Sequence, residues 1–187
     1  NKKSVKSNLS LNEIFSDKKI VIFGLPGAYT PTCSSTHLPR FEQIYDSFKK
    51  NGVDEVYCVS VNDPFVMEAW GKDEGILNTK LIADGNGYFT KLLDMLVSKE
   101  DLSFGDRSWR YSAYIENGIV VKHFVEEEVA GDPFEVSDAD TMIKHINPEF
   151  VTEDDILIFT KENCSYCHEL KQILKEKGFK IVNRKSI

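Results

Sequence analysis

Gly24-Leu25-Pro26-Gly27-Ala28-Tyr29-Thr30-Pro31-Thr32-Cys33 ends one apolar run and opens a helix on a cysteine, and that change of direction decides the fold. Ahead of it, Ile20, Val21, Ile22 and Phe23 form a β-branched and aromatic run that reads as a buried strand, cut off by the Gly and Pro residues that follow. Thr30 is placed to be an N-cap, and Pro31 to be the first helical residue, where a missing N–H costs nothing. Cys33 then falls in the first helical turn, where unpaired backbone N–H groups and the positive end of the helix dipole favour a thiolate.

Outward from the cysteine, Leu38, Phe41, Ile44, Tyr45 and Phe48 recur at helical spacing as far as Gly52, with Pro39 expected to kink or split the helix. Residues 53–61 read as a second strand. Asp63 and Pro64 then read as an N-cap and a first-turn proline for a helix through Trp70, which sets a β-α-β-α beat. Residues 81–83 make a short strand, Gly85-Asn86-Gly87 a turn, and Phe89, Leu92, Leu93 and Leu96 one face of the next helix. Asn117-Gly118 between the apolar runs 110–116 and 119–125 is a strong hairpin signal, so an antiparallel edge joins the sheet. Ser137 and Asp140 resemble a capping box for a helix carrying Met142, Ile143 and Ile146. Residues 1–19 read as a loose lead-in. The polar stretch after Asn147 marks a domain boundary, beyond which come a strand at 156–159, Cys164-Ser165-Tyr166-Cys167, and a helix with Leu170, Ile173 and Leu174 ended by Gly178. The whole pattern is α/β.

The chain has 187 residues, enough for one good-sized domain or for one domain with a smaller companion. Its net charge of −7 excludes nucleic acid as a main partner, because no basic stripe exists to displace phosphate counterions. No apolar run is long enough for a transmembrane helix, and the first twenty residues lack a signal-peptide core. With only Cys33, Cys58, Cys164 and Cys167, a disulfide scaffold is ruled out in favour of reduced, reactive thiols in a cytosol-like compartment. The start at Asn1 without Met and the stop at Ile187 both suggest ends cut from something longer.

Cys164-x-x-Cys167 between a strand and a helix is the sequence form of a thioredoxin-type redox pair. Two other readings compete: Cys-x-x-Cys-His168 also matches c-type haem attachment, and paired cysteines also bind zinc. Haem needs an axial partner, and Met67, Met95 and Met142 all precede the motif; a closed zinc site needs four ligands, and only His168 and the distant His145 stand near. Redox chemistry is the favoured reading, with no metal. Cys58 lies mid-strand among Val56, Val59 and Val61 and reads as a small buried hydrophobe.

Residues 20 to 146 resemble the peroxiredoxin V class, whose loop Pro-Gly-Ala-Phe-Thr-Pro-Thr-Cys is matched by Pro26 to Cys33 with Tyr29 in the aromatic place, followed by the similar Ser-x-x-His-Leu-Pro at Ser34 to Pro39. Residues 151 to 187 resemble the front of a glutaredoxin. Arg110-Tyr111-Ser112 and Gly131-Asp132-Pro133-Phe134 resemble the bacterial peroxiredoxin–glutaredoxin fusions in particular. The resemblance implies a thioredoxin-fold peroxiredoxin domain over 1–147, a linker over 148–155, and a second, partial thioredoxin-like domain over 156–187.

The same resemblance implies that Cys33 is the peroxidatic cysteine, Thr30 and Arg110 its polar partners with Arg107 the alternative arginine, and Pro26 its shield. Hydrogen peroxide and alkyl hydroperoxides are the implied substrates. Since Cys58 is poorly placed to resolve a sulfenic acid, glutathione is expected to cap Cys33, Cys164 to remove the glutathionyl group, and Cys167 to close a disulfide. Lys161 and Tyr166 are the expected glutathione contacts, no cofactor is implied as bound, and glutathione enters as reducing co-substrate. Ser165 stands where glutaredoxins commonly carry proline, and their later Thr-Val-Pro segment is absent, so this second domain reads as incomplete. A homodimer or larger assembly in the bacterial cytoplasm is expected, with neither nucleic acid nor membrane as partner. The competing class is a non-catalytic redox sensor or scaffold that signals through oxidised Cys33.

Overall fold

The structure is a computed structural model that describes residues 10–129, 131–151, 155–160, 165–176 and 180–185. The chain divides into two compact units, Asn1–Ile146 and Asn147–Ile187. In the first, β1 (Lys19–Gly24), β2 (Glu55–Ser60) and β3 (Lys80–Ala83) run parallel, while β6 (Tyr111–Glu116) and β7 (Ile119–Val125) add an antiparallel edge. The sheet order is β3-β2-β1-β6-β7, which leaves β1 central and buried on both faces. Alternation along β1 sorts the core. Ile20 and Ile22 join Ile14, Tyr57, Val59 and Ile115 on one face, while Phe23 turns to the other and stacks on Phe41 with ring centroids 3.9 Å apart.

Helices cover both faces. On the thiol side the chain is helical from Pro31, but residues Cys33–His37 form a wider π turn before α2 (Leu38–Gln43) and α3 (Tyr45–Lys50). The helix is divided ahead of Pro39 as expected: Cys33 sits on the short π segment, Leu38 N–H reaches back to the Cys33 carbonyl, and α2 begins with Pro39 in its first turn. A second break comes at Ile44, between α2 and α3. Helix α4 (Pro64–Asp73) is capped as expected, the Asp63 carboxylate accepting from the Phe65 and Val66 N–H groups at 2.8 and 3.1 Å. Asn117 and Gly118 both have positive φ, 47° and 77°, the backbone that a two-residue hairpin turn requires.

Three expectations are corrected. The lead-in is not loose over its described part: Ser10 and Glu13 form a capping box for α1 (Leu11–Phe15), which buries Ile14. The helix at 89–96 is only α5 (Tyr88–Leu92), and Leu96 begins β4 (Leu96–Ser98), paired with β5 (Asp106–Ser108) in a small ribbon. Helix α6 (Ala139–Ile146) is capped by Asp138, which bonds both the N–H and the hydroxyl of Thr141. Ser137 is spent on Glu126 and Asp140 on Arg40.

In the second unit, β8 (Asp155–Thr160) and β9 (Lys180–Lys185) pair in parallel, joined through α7 (Ser165–Glu176), which packs along β9. This is one β-α-β crossover of the thioredoxin kind. Among the described residues no helix is long and apolar enough to cross a membrane, and no group of three His, Cys, Asp or Glu side chains could hold a metal.

Candidate active site

The turn from β1 to the helix is shaped by close packing. A Cβ on Gly24 would come 2.2 Å from Tyr111 Cε1, so only glycine lets the last residue of β1 lie against that ring. Ala28 N–H donates to Asn62 Oδ1 at 3.0 Å, and Tyr29 takes a left-handed φ of 62° with its hydroxyl on Asp73 at 2.7 Å. Thr30 keeps the backbone part of the N-cap role, its carbonyl accepting from Ser34 N–H at 3.0 Å. Its side chain does not cap. The hydroxyl turns back and donates to the Gly27 carbonyl at 2.8 Å, which leaves its lone pairs free of the helix.

Cys33 is fully buried at the start of the π turn. Arg110, one residue ahead of β6, is also buried and lies beside it, Nη2 donating to Cys33 Sγ at 3.6 Å. The same Nη2 makes a very short ion pair with Asp132 Oδ1, and the ring of Phe134 lies 5.4 Å from the guanidinium carbon. Arg110 Nη1 donates to His37 Nδ1 at 3.0 Å; since arginine can only donate, that nitrogen is the acceptor and the proton sits on Nε2, which gives it to the Ser137 carbonyl at 3.2 Å. His37 is a neutral ring held at both ends. Burial, then the Arg110 charge, push its pKa down to about 3 against the weaker pull of the Ser137 carbonyl.

A cavity of about 330 Å³ adjoins this group through Asp132, the ion-pair partner of Arg110; Pro26, Pro31, Leu102, Phe104, Thr30 and Asp132 are among its lining residues, and Cys33, His37 and Arg110 are not. Lys99 also lines it, but its ammonium is held on the Gly131 carbonyl at 3.1 Å and 4.4 Å over the Trp109 ring. Of the expected site residues, Arg110 lies beside the Cys33 sulfur, and Pro26 and Thr30 line the adjoining cavity together with Asp132, the ion-pair partner of Arg110. Arg107 is not at the sulfur; it bonds the Phe104 and Val61 carbonyls and walls the back of the Gly27 turn. Lys161 and Cys164 lie outside the described residues, as does the Cys167 side chain on α7, while Tyr166 is 82% exposed on that helix.

Cys58 lies on β2 opposite Phe23, fully buried. Burial pushes its thiol well up, the neighbouring Cys33 adding to the shift and Arg110 opposing it, so it stays protonated and unreactive.

Three site residues escape a reading of the sequence. His37 stands one turn after Cys33, on the same helical face, and that spacing was the available signal. Asp132 arrives from a distant turn. Glu126 never touches the thiol, yet its buried carboxylate accepts from the N–H groups of Glu135, Val136 and Ser137 and from the Ser137 hydroxyl, and so fixes the segment that carries Asp132 and Phe134.

A thioredoxin-type sheet that delivers a buried cysteine to a helix start beside a buried arginine defines a thiol-based redox protein. Residues 2–143 match the Redoxin family and residues 156–185 the Glutaredoxin family. The chain is 53% identical over 171 residues to the hybrid peroxiredoxin hyPrx5 of Haemophilus influenzae, covering 91% of this chain and 71% of that protein. It is 54% identical to a peroxiredoxin of Synechocystis over 72% of this chain and 73% of the other. Reduced Prx3 of Vibrio vulnificus, solved in complex with hydrogen peroxide, superposes with a TM-score of 0.68 at 42% identity, covering 72% of this chain and 82% of its own. The chain belongs to the peroxiredoxins of the Redoxin family, in the hybrid form with a glutaredoxin segment behind the peroxiredoxin part. Thiol peroxidase chemistry is the activity of that family.

Proposed function

We propose that the chain is a glutathione-dependent thiol peroxidase acting on hydrogen peroxide and small alkyl hydroperoxides. Residues 1–147 carry the peroxidase and 156–187 its reductant, with 148–155 as linker. The observation that carries this reading is the Cys33 sulfur, buried 3.6 Å from the buried Arg110 Nη2. Cys33 thiolate attacks one peroxide oxygen; the S–O bond forms, the O–O bond breaks, and the departing oxyanion takes a proton to leave as water or alcohol. Ionisation alone is too little: taking an ordinary thiol from roughly 3 per cent to full thiolate at neutral pH gains about 30-fold, near 2 kcal/mol. Arg110 supplies the rest by holding the developing negative charge from a fixed, desolvated position. Thr30, its own hydroxyl proton committed to Gly27, accepts the peroxide O–H, and Pro26 keeps water off the sulfur.

The sulfenic acid on Cys33 then condenses with glutathione, releasing water and leaving a mixed disulfide. Cys164 thiolate attacks the glutathionyl sulfur, freeing Cys33, and Cys167 displaces glutathione from Cys164 to close a disulfide. Lys161 and Tyr166 hold the glutathione. The buried, protonated state of Cys58 supports an external thiol as the resolving group. The acidic composition and the bacterial hybrid relative support a cytoplasmic enzyme that assembles as a homodimer or larger, a state that light scattering across concentrations reads directly.

Steady-state peroxide consumption with glutathione tests the whole cycle. Cys33→Ser is expected to abolish it. Cys164→Ser is expected to stop glutathione-supported turnover yet leave the first oxidation of Cys33 intact, with a glutathionyl adduct accumulating on Cys33 by mass spectrometry. A Cys33→Ser protein that still consumes peroxide overturns the peroxidase reading; unchanged turnover in Cys164→Ser overturns the reductant role; a single stoichiometric oxidation without turnover would favour a redox sensor.

A further inference from the structure

Arg110 Nη2 bonds two groups at once, the Cys33 sulfur and the Asp132 carboxylate. The second is not part of the buried thiol group in the way His37 is. Its side chain is 37% exposed, it lines the cavity, and it is carried on the Gly131-Asp132-Pro133 segment that follows β7. The cavity beside the site combines apolar side chains, Pro26, Pro31, Leu102 and Phe104, with the Asp132 carboxylate and the Lys99 ammonium. We propose that Asp132 is a specificity-determining residue that selects against peroxides carrying a negative charge near the reacting oxygens, so that the site favours neutral hydroperoxides. The inference rests on the peroxidase reading of the same site.

Two cations lie nearby, Arg110, which pairs with Asp132, and Lys99, which lines the same cavity and keeps its charge, so the effect of Asp132 is read as the change on removing its carboxylate. Arg110 is only 1% exposed and already bonds His37, Cys33 and Asp132. Lys99 is drawn to the Gly131 carbonyl and the Trp109 face, and Arg107 to the Phe104 and Val61 carbonyls. Among the described residues lining the cavity, Asp132 is the acidic one, so its carboxylate is the negative charge that an entering anionic substituent meets. Its carboxylate is held in place by the buried Arg110 Nη2, unlike an ordinary surface side chain.

The test compares cumene hydroperoxide with its para-carboxylate analogue, two substrates of equal reach that differ by one charge. The second-order rate constant for oxidation of the pre-reduced full chain is read for each as peroxide lost in a single turnover, which needs neither glutathione nor Cys164. Asp132→Asn keeps an oxygen that can accept from Arg110 and removes the charge. The ratio of the carboxylate-bearing to the neutral rate constant is expected to rise on the order of tenfold, as for one charge removed at roughly 6 Å from a partly screened site. Asp132→Ser, smaller and uncharged, should move the ratio the same way. A ratio that stays put or falls in both variants overturns the proposal. A wild-type chain inert toward both peroxides would instead overturn the peroxidase reading, and this inference with it.

Discussion

His37 holds Arg110 through Nδ1 and the Ser137 carbonyl through Nε2, so an uncharged ring helps fix where a charged guanidinium points. Cys33, Thr30 and Pro26 were legible because they are close in the chain and carry the turn chemistry that places a thiol at a helix start. Arg110 was legible through its Arg-Tyr-Ser neighbours. The role of His37 was not, because it depends on which nitrogen accepts, and periodicity carries no ring orientation. Gly24 shows the same limit: it reads as the residue that ends a strand, but its real constraint is the Tyr111 ring crossing it. Gly24→Ala would place a methyl 2.2 Å from Tyr111 Cε1 and 2.7 Å from Ser108 Oγ, contacts that the flanking strands β1 and β6 give little room to relieve. Urea unfolding is expected to show a loss of about 1–3 kcal/mol, in the range of an overpacked core. The peroxidase rate should fall as well, since Tyr111 adjoins Arg110. A variant of unchanged midpoint would show that the ring moves freely.

At the scale of elements, the parallel strands, the crossover helices and the Asn117-Gly118 hairpin follow directly from apolar periodicity and turn residues. The β4–β5 ribbon does not, because three-residue strands are too short to show alternation, and the π turn does not, because its wider spacing leaves no mark in the pattern. The segment from Asp132 to Ser137 has no regular structure, yet it sets much of the thiol's surroundings: Asp132 and Phe134 contact Arg110, and the Ser137 carbonyl fixes His37. One side chain holds it. Burial works to raise the Glu126 carboxyl, but hydrogen bonds from Ser137, Val136 and Glu135 outweigh it and keep the group below its usual range, hence charged. Glu126→Gln keeps the shape but replaces one acceptor oxygen with a donor facing N–H groups. A stability loss of roughly 1–3 kcal/mol is expected. Faster amide exchange should appear at Glu135, Val136 and Ser137, and the peroxide rate should fall several-fold because Arg110 loses its fixed setting. Unaltered exchange at those three amides would show that the segment is held by other means.

For the whole molecule, the same buried groups set the response to acid. An unfolded chain protonates the histidine near 6.5, whereas folded His37 resists until about 3, so between those values the unfolded state binds one more proton. Stability therefore falls as pH drops through that window, by about 1.4 kcal/mol per pH unit from this residue alone. Glu126 and Glu42 act in the opposite sense of charge but the same direction of effect. Both are held below the ordinary carboxylate range, Glu42 by the Thr79, Leu77 and Asn78 hydrogen bonds that outweigh its burial. The stability they contribute is present above 4.5 and is lost as pH falls through their folded values. The histidine thus acts first and the carboxylates later. His37→Gln, which titrates in neither state, is expected to flatten the stability profile between pH 6 and 5 by about one proton's worth while leaving the steeper loss below 4.5 in place. Urea unfolding at closely spaced pH values reads both regions, and identical slopes for His37→Gln and the parent between pH 6 and 5 would mean that the ring already carries its proton in the folded chain, which is incompatible with its acceptance of the Arg110 hydrogen bond.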